Sequence, residues 1–125
     1  MSRNSDNLGK SLDSLKNTNP KVRINGQVCD VSNQTSIEDS VKSIDKSLGD
    51  IQVLVNAAAI NSDKLLFNCP KDMIHDIIET NLNGTIFMCK SVLKQMVRQK
   101  KGSIVNIGLQ YISLILSLLI TNLNE

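Results

Sequence analysis

Three helical hydrophobic patterns, each followed by a short apolar or β-branched run, predict an α/β fold built around a parallel sheet. Parallel strands need crossover connections of helical length, and the spacing between these runs supplies them. The pattern stops after Lys101, since every charged residue except Glu125 lies at or before it and Leu and Ile dominate the remainder of the chain. The expected organisation is therefore one incomplete doubly wound, Rossmann-like domain over residues 1–108, followed by a divergent apolar tail over residues 109–125.

Each element has its own signal. Leu8, Leu12 and Leu15 recur at helical spacing, and Pro20 lies beyond the helix end because proline cannot continue a helix. The run "VRINGQVCDV", Val22 to Val31, reads as a strand weakened by Gly26. "TSIE", Thr35 to Glu38, has the form of a capping box, in which hydroxyl and carboxylate satisfy orphan backbone donors. Ile37, Val41, Ile44 and Leu48 then form one helical stripe, and Gly49 suits a left-handed cap. "IQVLVN", Ile51 to Asn56, is short, apolar and β-branched, the composition of a strand covered on both faces. From Met73 to Gln99 a long helical pattern turns Ile74, Ile77, Ile78, Leu82, Ile86, Cys89, Leu93, Met96 and Val97 inward. "SIVNI", Ser103 to Ile107, closes the series as a strand.

Composition narrows the function classes. The 125 residues carry a net charge of +2, 2% aromatic residues and no Trp, which argues against a nucleic-acid module with its basic face and stacking rings. The basic cluster "RQKK", Arg98 to Lys101, reads as a helix C-terminus opposing the helix dipole. Three cysteines without a CxxC pair, and a single histidine, point away from a metal site and from a disulfide framework. Reduced thiols and a polar N-terminus imply an intracellular chain. The run Ile112 to Ile120 is about half the ~20 residues that a membrane span requires, so no membrane contact is expected.

Three short stretches carry possible chemistry. "NAAAI" places Asn56 and three alanines at a strand's carboxyl end, where ligands bind in open α/β sheets and small side chains admit close approach. The same residues would also serve as filler in a tight turn. "TNLNG", Thr80 to Gly84, sets a half-buried amide and a glycine inside one helical turn. An unpaired buried amide costs about 1–3 kcal/mol, and a mid-helix glycine about 1 kcal/mol, so Asn81 and Gly84 need a functional or packing reason. "CDV" puts Asp30 at the end of the first strand, as suited to a turn or cap as to a ligand contact.

Taken together and in order, "CDVSN", "LVNAA", "TNLNG" and "GSIVNIG" resemble the short-chain dehydrogenase/reductases, over about Ser2 to Gly108. The similarity is greatest to the branch of 3-oxoacyl-[acyl-carrier-protein] reductases and mitochondrial carbonyl reductases. The resemblance implies an NADP(H) cofactor, a role in fatty acid biosynthesis, and a mitochondrial or cytoplasmic location. It implies that Arg3 meets the adenosine 2′-phosphate, that Asp30 and Val31 border the adenine, and that Asn56, Ala57 and Ala58 border the cofactor. Ala59 stands where the family has Gly, and Asn81 matches the asparagine of the catalytic tetrad, whose main chain holds a proton-relay water.

The departures are also specific. No Gly-rich pyrophosphate loop occurs in the sequence, Leu109 stands where the catalytic Ser belongs, and no Lys follows Lys101 to complete a Tyr-x-x-x-Lys pair. Tyr111 comes too early in the chain for that pair, and the residue four further on is Ile115. Without phenol and ammonium there is no acid to protonate a carbonyl. The expectation is a truncated, inactive relative with weak or no NADP(H) binding. The rival expectation is an interaction module that docks on a full-length reductase through the helix over residues 73–99, with self-association favoured by the apolar tail.

Overall fold

The computed structural model describes residues 4–108, so Arg3, Leu109, Tyr111 and the apolar tail lie outside the described residues. Helix α1 spans Ser5–Thr18, α2 spans Gln34–Leu48 and strand β1 spans Val53–Asn56. A 3-10 turn at Leu66–Asn68 leads into α3, Lys71–Ile77, a π-helical turn at Ile78–Asn83, then α4, Gly84–Gln99, and strand β2, Ser103–Asn106. β1 and β2 pair in parallel, with Val53 opposite Ser103 and Asn56 opposite Asn106. The long connection between them is the crossover that parallel pairing requires.

Local chemistry explains the helix ends. Asn4 caps α1 by accepting from the amides of Asp6 and Asn7 at 2.9 and 3.0 Å, and the helix stops before Pro20 as expected. The start of α2 differs from the capping box. Asn33 is the cap, accepting from the Ser36 amide at 3.1 Å, so the helix begins at Gln34 and Thr35 lies inside it. Glu38 instead accepts from the Gln34 side chain at 2.9 Å. Asparagine one residue before the helix caps at least as well as threonine, and the earlier cap wins. Gly49, at φ 88°, ends α2 in the conformation that an L side chain rarely adopts.

The core lies between α2, α4 and one face of the sheet. Ile37, Val41, Leu54, Met88, Val92 and Met96 are buried together with Cys29. Two sequence expectations fail here. The run Val22 to Val31 forms no strand beyond a single bridging residue at Val28, because a strand exists through its neighbours and the described residues provide it none of any length. Cys29 is nevertheless buried in the core, so this segment delivers its inward side chain. β1 is also not covered on both faces: Leu54 is 8% exposed, whereas Val53 and Val55 are 59% and 54% exposed.

The long helix corrects the expected stripe. Thr80, Gly84, Met88, Val92 and Met96, spaced four apart, face inward, while Ile74, Ile78, Leu82, Ile86, Leu93 and Val97 remain substantially exposed. Both stripes are spaced as one helix face, and periodicity alone cannot say which one meets the sheet. Gly84 decides it. A Cβ there would lie 2.8 Å from the Val31 carbonyl oxygen, so the glycine lets α4 seat directly on backbone.

Two substitutions separate the stripes. Met88→Ala, at a buried position on the inward stripe, is expected to lower unfolding free energy by about 2–5 kcal/mol in urea titrations. Val97→Ala, on the outward stripe, should stay within about 0.5 kcal/mol of the parent.

Candidate functional site

The carboxyl ends of β1 and β2 are marked by two asparagines in register. The Asn56 side-chain amide donates to Asn106 Oδ1 at 2.8 Å and to the Cys89 sulfur at 3.4 Å. One side chain thus ties β1 to β2 and to α4. The Asn56 carbonyl accepts from the Ile107 amide at 2.8 Å, so its backbone is committed to the ladder. Ala57, Ala58 and Ala59 form the exposed turn after β1. Asn106 is a site residue that the sequence reading misses. Its signal lies in the matching ends of "VLVN" and "SIVN", which parallel register turns into a pair.

Beyond the alanine turn, the chain is held by Asn81. Its Oδ1 accepts from the Ile60 amide at 2.9 Å, and its Nδ2 donates to the Ile60 carbonyl at 2.8 Å. This is the pairing that a buried amide requires, and it answers why an asparagine sits within a helical rod. The Asn81 carbonyl accepts from Thr85 Oγ1 at 2.9 Å. The rod is π-helical at this point, with the Gly84 amide donating to the Glu79 carbonyl five residues back. Such turns carry one residue more than an α-helix and recur at functional sites.

Asp30 sits in a turn that it stabilises itself. Its Oδ1 accepts from the Ser32 amide at 3.0 Å and the Ser32 hydroxyl at 2.8 Å, while its own amide donates to Ser36 Oγ at 3.0 Å. The turn reading is thus realised. Val31 packs against the core, its carbonyl beneath Gly84.

A cavity of about 740 Å³ lies between these parts. Val31, Asn56, Ala57 and Ala58 line it together, joined by the unforeseen Thr80 and Thr85. Asp30 and Asn81 are not among its lining residues. Val41, Met88 and Val92 give it an apolar floor, and Asp50 is the one carboxylate among its described lining residues. Asp50 is held by the Gln95 amide at 2.9 Å, which also donates to Asp45 at 2.6 Å. Hydroxyls, the side-chain amides of Gln52 and Asn56 and backbone groups can orient a bound ligand there. The described lining holds no imidazole, ammonium or phenol to exchange a proton with it.

A parallel pair of strands flanked by helices, with a cavity along β1 that reaches its carboxyl end, has the Rossmann-like α/β class of fold. Within that class, the model of the short chain dehydrogenase family matches residues 1–111, and the chain belongs to that family. Carbonyl reductase family member 4 of Xenopus tropicalis is 44% identical over 80 residues, 64% of this chain and 34% of that protein. The 3-oxoacyl-[acyl-carrier-protein] reductase of Bos taurus is 40% identical over the same length, again covering 34% of that protein. A solved NADPH-bound actinorhodin polyketide ketoreductase superposes with TM-score 0.81 at 31% identity, covering 86% of this chain and 41% of that one. The chain thus spans a minor part of the length of each of these relatives. No helix among the described residues is long and apolar enough to cross a membrane.

The asparagine pair has a measurable weight. Asn106→Ala removes the shorter partner of Asn56 at a solvent-exposed bond and should cost about 0.5–1.5 kcal/mol in chemical denaturation, whereas Asn106→Asp, which keeps an acceptor, should cost less.

Proposed function

We propose that the chain is a catalytically silent relative of the NADP(H)-dependent carbonyl and 3-oxoacyl-[acyl-carrier-protein] reductases. The observation that carries this reading is the site's composition. Asn81 and the asparagine-alanine turn are in place, while Leu109 occupies the serine position. Hydride transfer to a carbonyl needs a proton delivered to the developing alkoxide, and no imidazole, ammonium or phenol lines the cavity among the described residues.

The residues present fit part of a nicotinamide dinucleotide. Ala57 and Ala58 are exposed and small, and they share a cavity with Val31, which suits the flat adenine end of the cofactor. The cofactor would supply the hydride. Val31 would pack on it, Ala57 and Ala58 would admit it, and Asp30 would hold the turn beside it. Asn81 would act through Ile60 by fixing the alanine turn. Among the described residues no glycine-rich helix start offers backbone donors to a pyrophosphate.

Purified protein is expected not to oxidise NADPH with acetoacetyl thioesters or quinones, and to bind NADPH no tighter than millimolar, about −4 kcal/mol. Turnover that survives repeated purification overturns the silent reading. Micromolar affinity in calorimetry overturns the account of the pyrophosphate.

A second reading is favoured by the outward stripe of the long helix. Ile78, Leu82, Ile86, Leu93 and Val97 are 46–68% exposed along one side of the rod, a contiguous apolar surface of the kind that marks protein interfaces. As an interaction module, the chain would dock this stripe on a full-length reductase of its family. Leu82→Asp combined with Leu93→Asp should then abolish co-purification with such a reductase while leaving the circular dichroism spectrum unchanged. Retained co-purification would place the contact elsewhere.

A further inference from the structure

α3, the π-turn and α4 form one continuous rod, and two different loops are fastened to its middle. Asn81 holds Ile60 by both backbone groups, at 2.9 and 2.8 Å. Three residues on, Gly84 lies against the Val31 carbonyl so closely that a Cβ would approach its oxygen to 2.8 Å. Between these fastenings the rod carries its extra residue, closed by the bond from the Gly84 amide to the Glu79 carbonyl. Asn83 Nδ2 donates to Glu79 Oε1 at 2.8 Å inside the same turn, and Thr80 is buried beneath it.

We infer that the π-turn is a coupling joint. It links the position of the Ala57–Ile60 loop to that of the Asp30–Val31 turn, so that releasing one loosens the other. The physical basis is a discrete alternative state. π-helical hydrogen bonding persists only where surrounding contacts hold it, and the competing form is ordinary α-helix. Rewinding to α shifts the register by one residue, a rotation of roughly 100° of the rod on one side of the turn relative to the other. α4 is anchored by Met88, Val92 and Met96 in the core, so the rotating part is the one that bears Asn81. That rotation carries the Asn81 amide away from Ile60. In the other direction, lifting α4 off Val31 displaces Asn81 relative to its loop. Val31, Ala57 and Ala58 line one cavity, so a group that fills it meets both loops. The bearing of the joint on cofactor binding rests on the reading of that cavity as a nucleotide site, but the coupling itself does not.

Native-state hydrogen exchange on the free protein tests it without nucleotide. Gly84→Ala leaves Asn81 and Ile60 chemically intact, yet the Ile60 amide should exchange about tenfold faster, with the amides of α2 unchanged. Asn81→Ala reads the opposite direction, and here the Val31 methyl resonances should shift. Deleting Asn83 removes the extra residue and should lower Ile60 protection as Gly84→Ala does. Unchanged Ile60 protection in folded Gly84→Ala, or unmoved Val31 resonances in Asn81→Ala, overturns the inference. An effect confined to the substituted loop does the same. Failure of NADPH to bind leaves these outcomes untouched, so the two readings fail separately.

Discussion

The seating of α4 on the Val31 carbonyl is the contact on which the rest of this structure depends. With no Cβ at Gly84, the helix reaches backbone rather than side chain, and its inward face is thereby chosen. Met88, Val92 and Met96 then meet Ile37, Val41 and Leu54, and the outward apolar stripe is left to solvent. A glycine within a helix costs about 1 kcal/mol relative to alanine. Here that cost is offset by close packing that no other residue permits.

The asparagines divide the remaining work. Asn56 and Asn106 join the strand ends, Asn81 pins the loop after β1, and Asn33 starts α2. Each replaces a backbone connection that regular structure does not supply at that point. Uncharged amides suit this purpose, because they donate and accept without the desolvation cost of an ion. The described residues accordingly hold one salt bridge, Lys42 to Asp39 at 3.9 Å, and it is exposed enough to matter little.

The α/β class, the parallel pairing and the order of the three helical segments and the two paired strands are legible in the sequence, because hydrophobic period and crossover length are local properties. So is the tension at Asn81 and Gly84, which the structure resolves as a clamp on Ile60 and a close approach to Val31. Three things are not legible there. The inward face of the long helix is hidden because two apolar stripes share the same spacing. Strand character at Val22 to Val31 depends on neighbours, which no local pattern records. The partnership of Asn56 with Asn106 requires the register, since fifty residues separate them. For the site, the segments that the resemblance singles out meet in space: Val31, Asn56 and the alanines line one cavity, while Asp30 and Asn81 are not among its lining residues.

The half-covered sheet has a thermodynamic consequence. Val53, Val55, Val105 and Ile107 already face water in the folded protein, so unfolding uncovers less new apolar surface than a sandwiched sheet of the same length. Both the urea dependence of stability and the heat-capacity increment scale with newly exposed area. The expected consequence is a melt spread over a broad temperature range, with a shallow denaturant slope and a flat stability curve. Cooling should then change its folded fraction less than it does for a fully covered α/β domain of equal size.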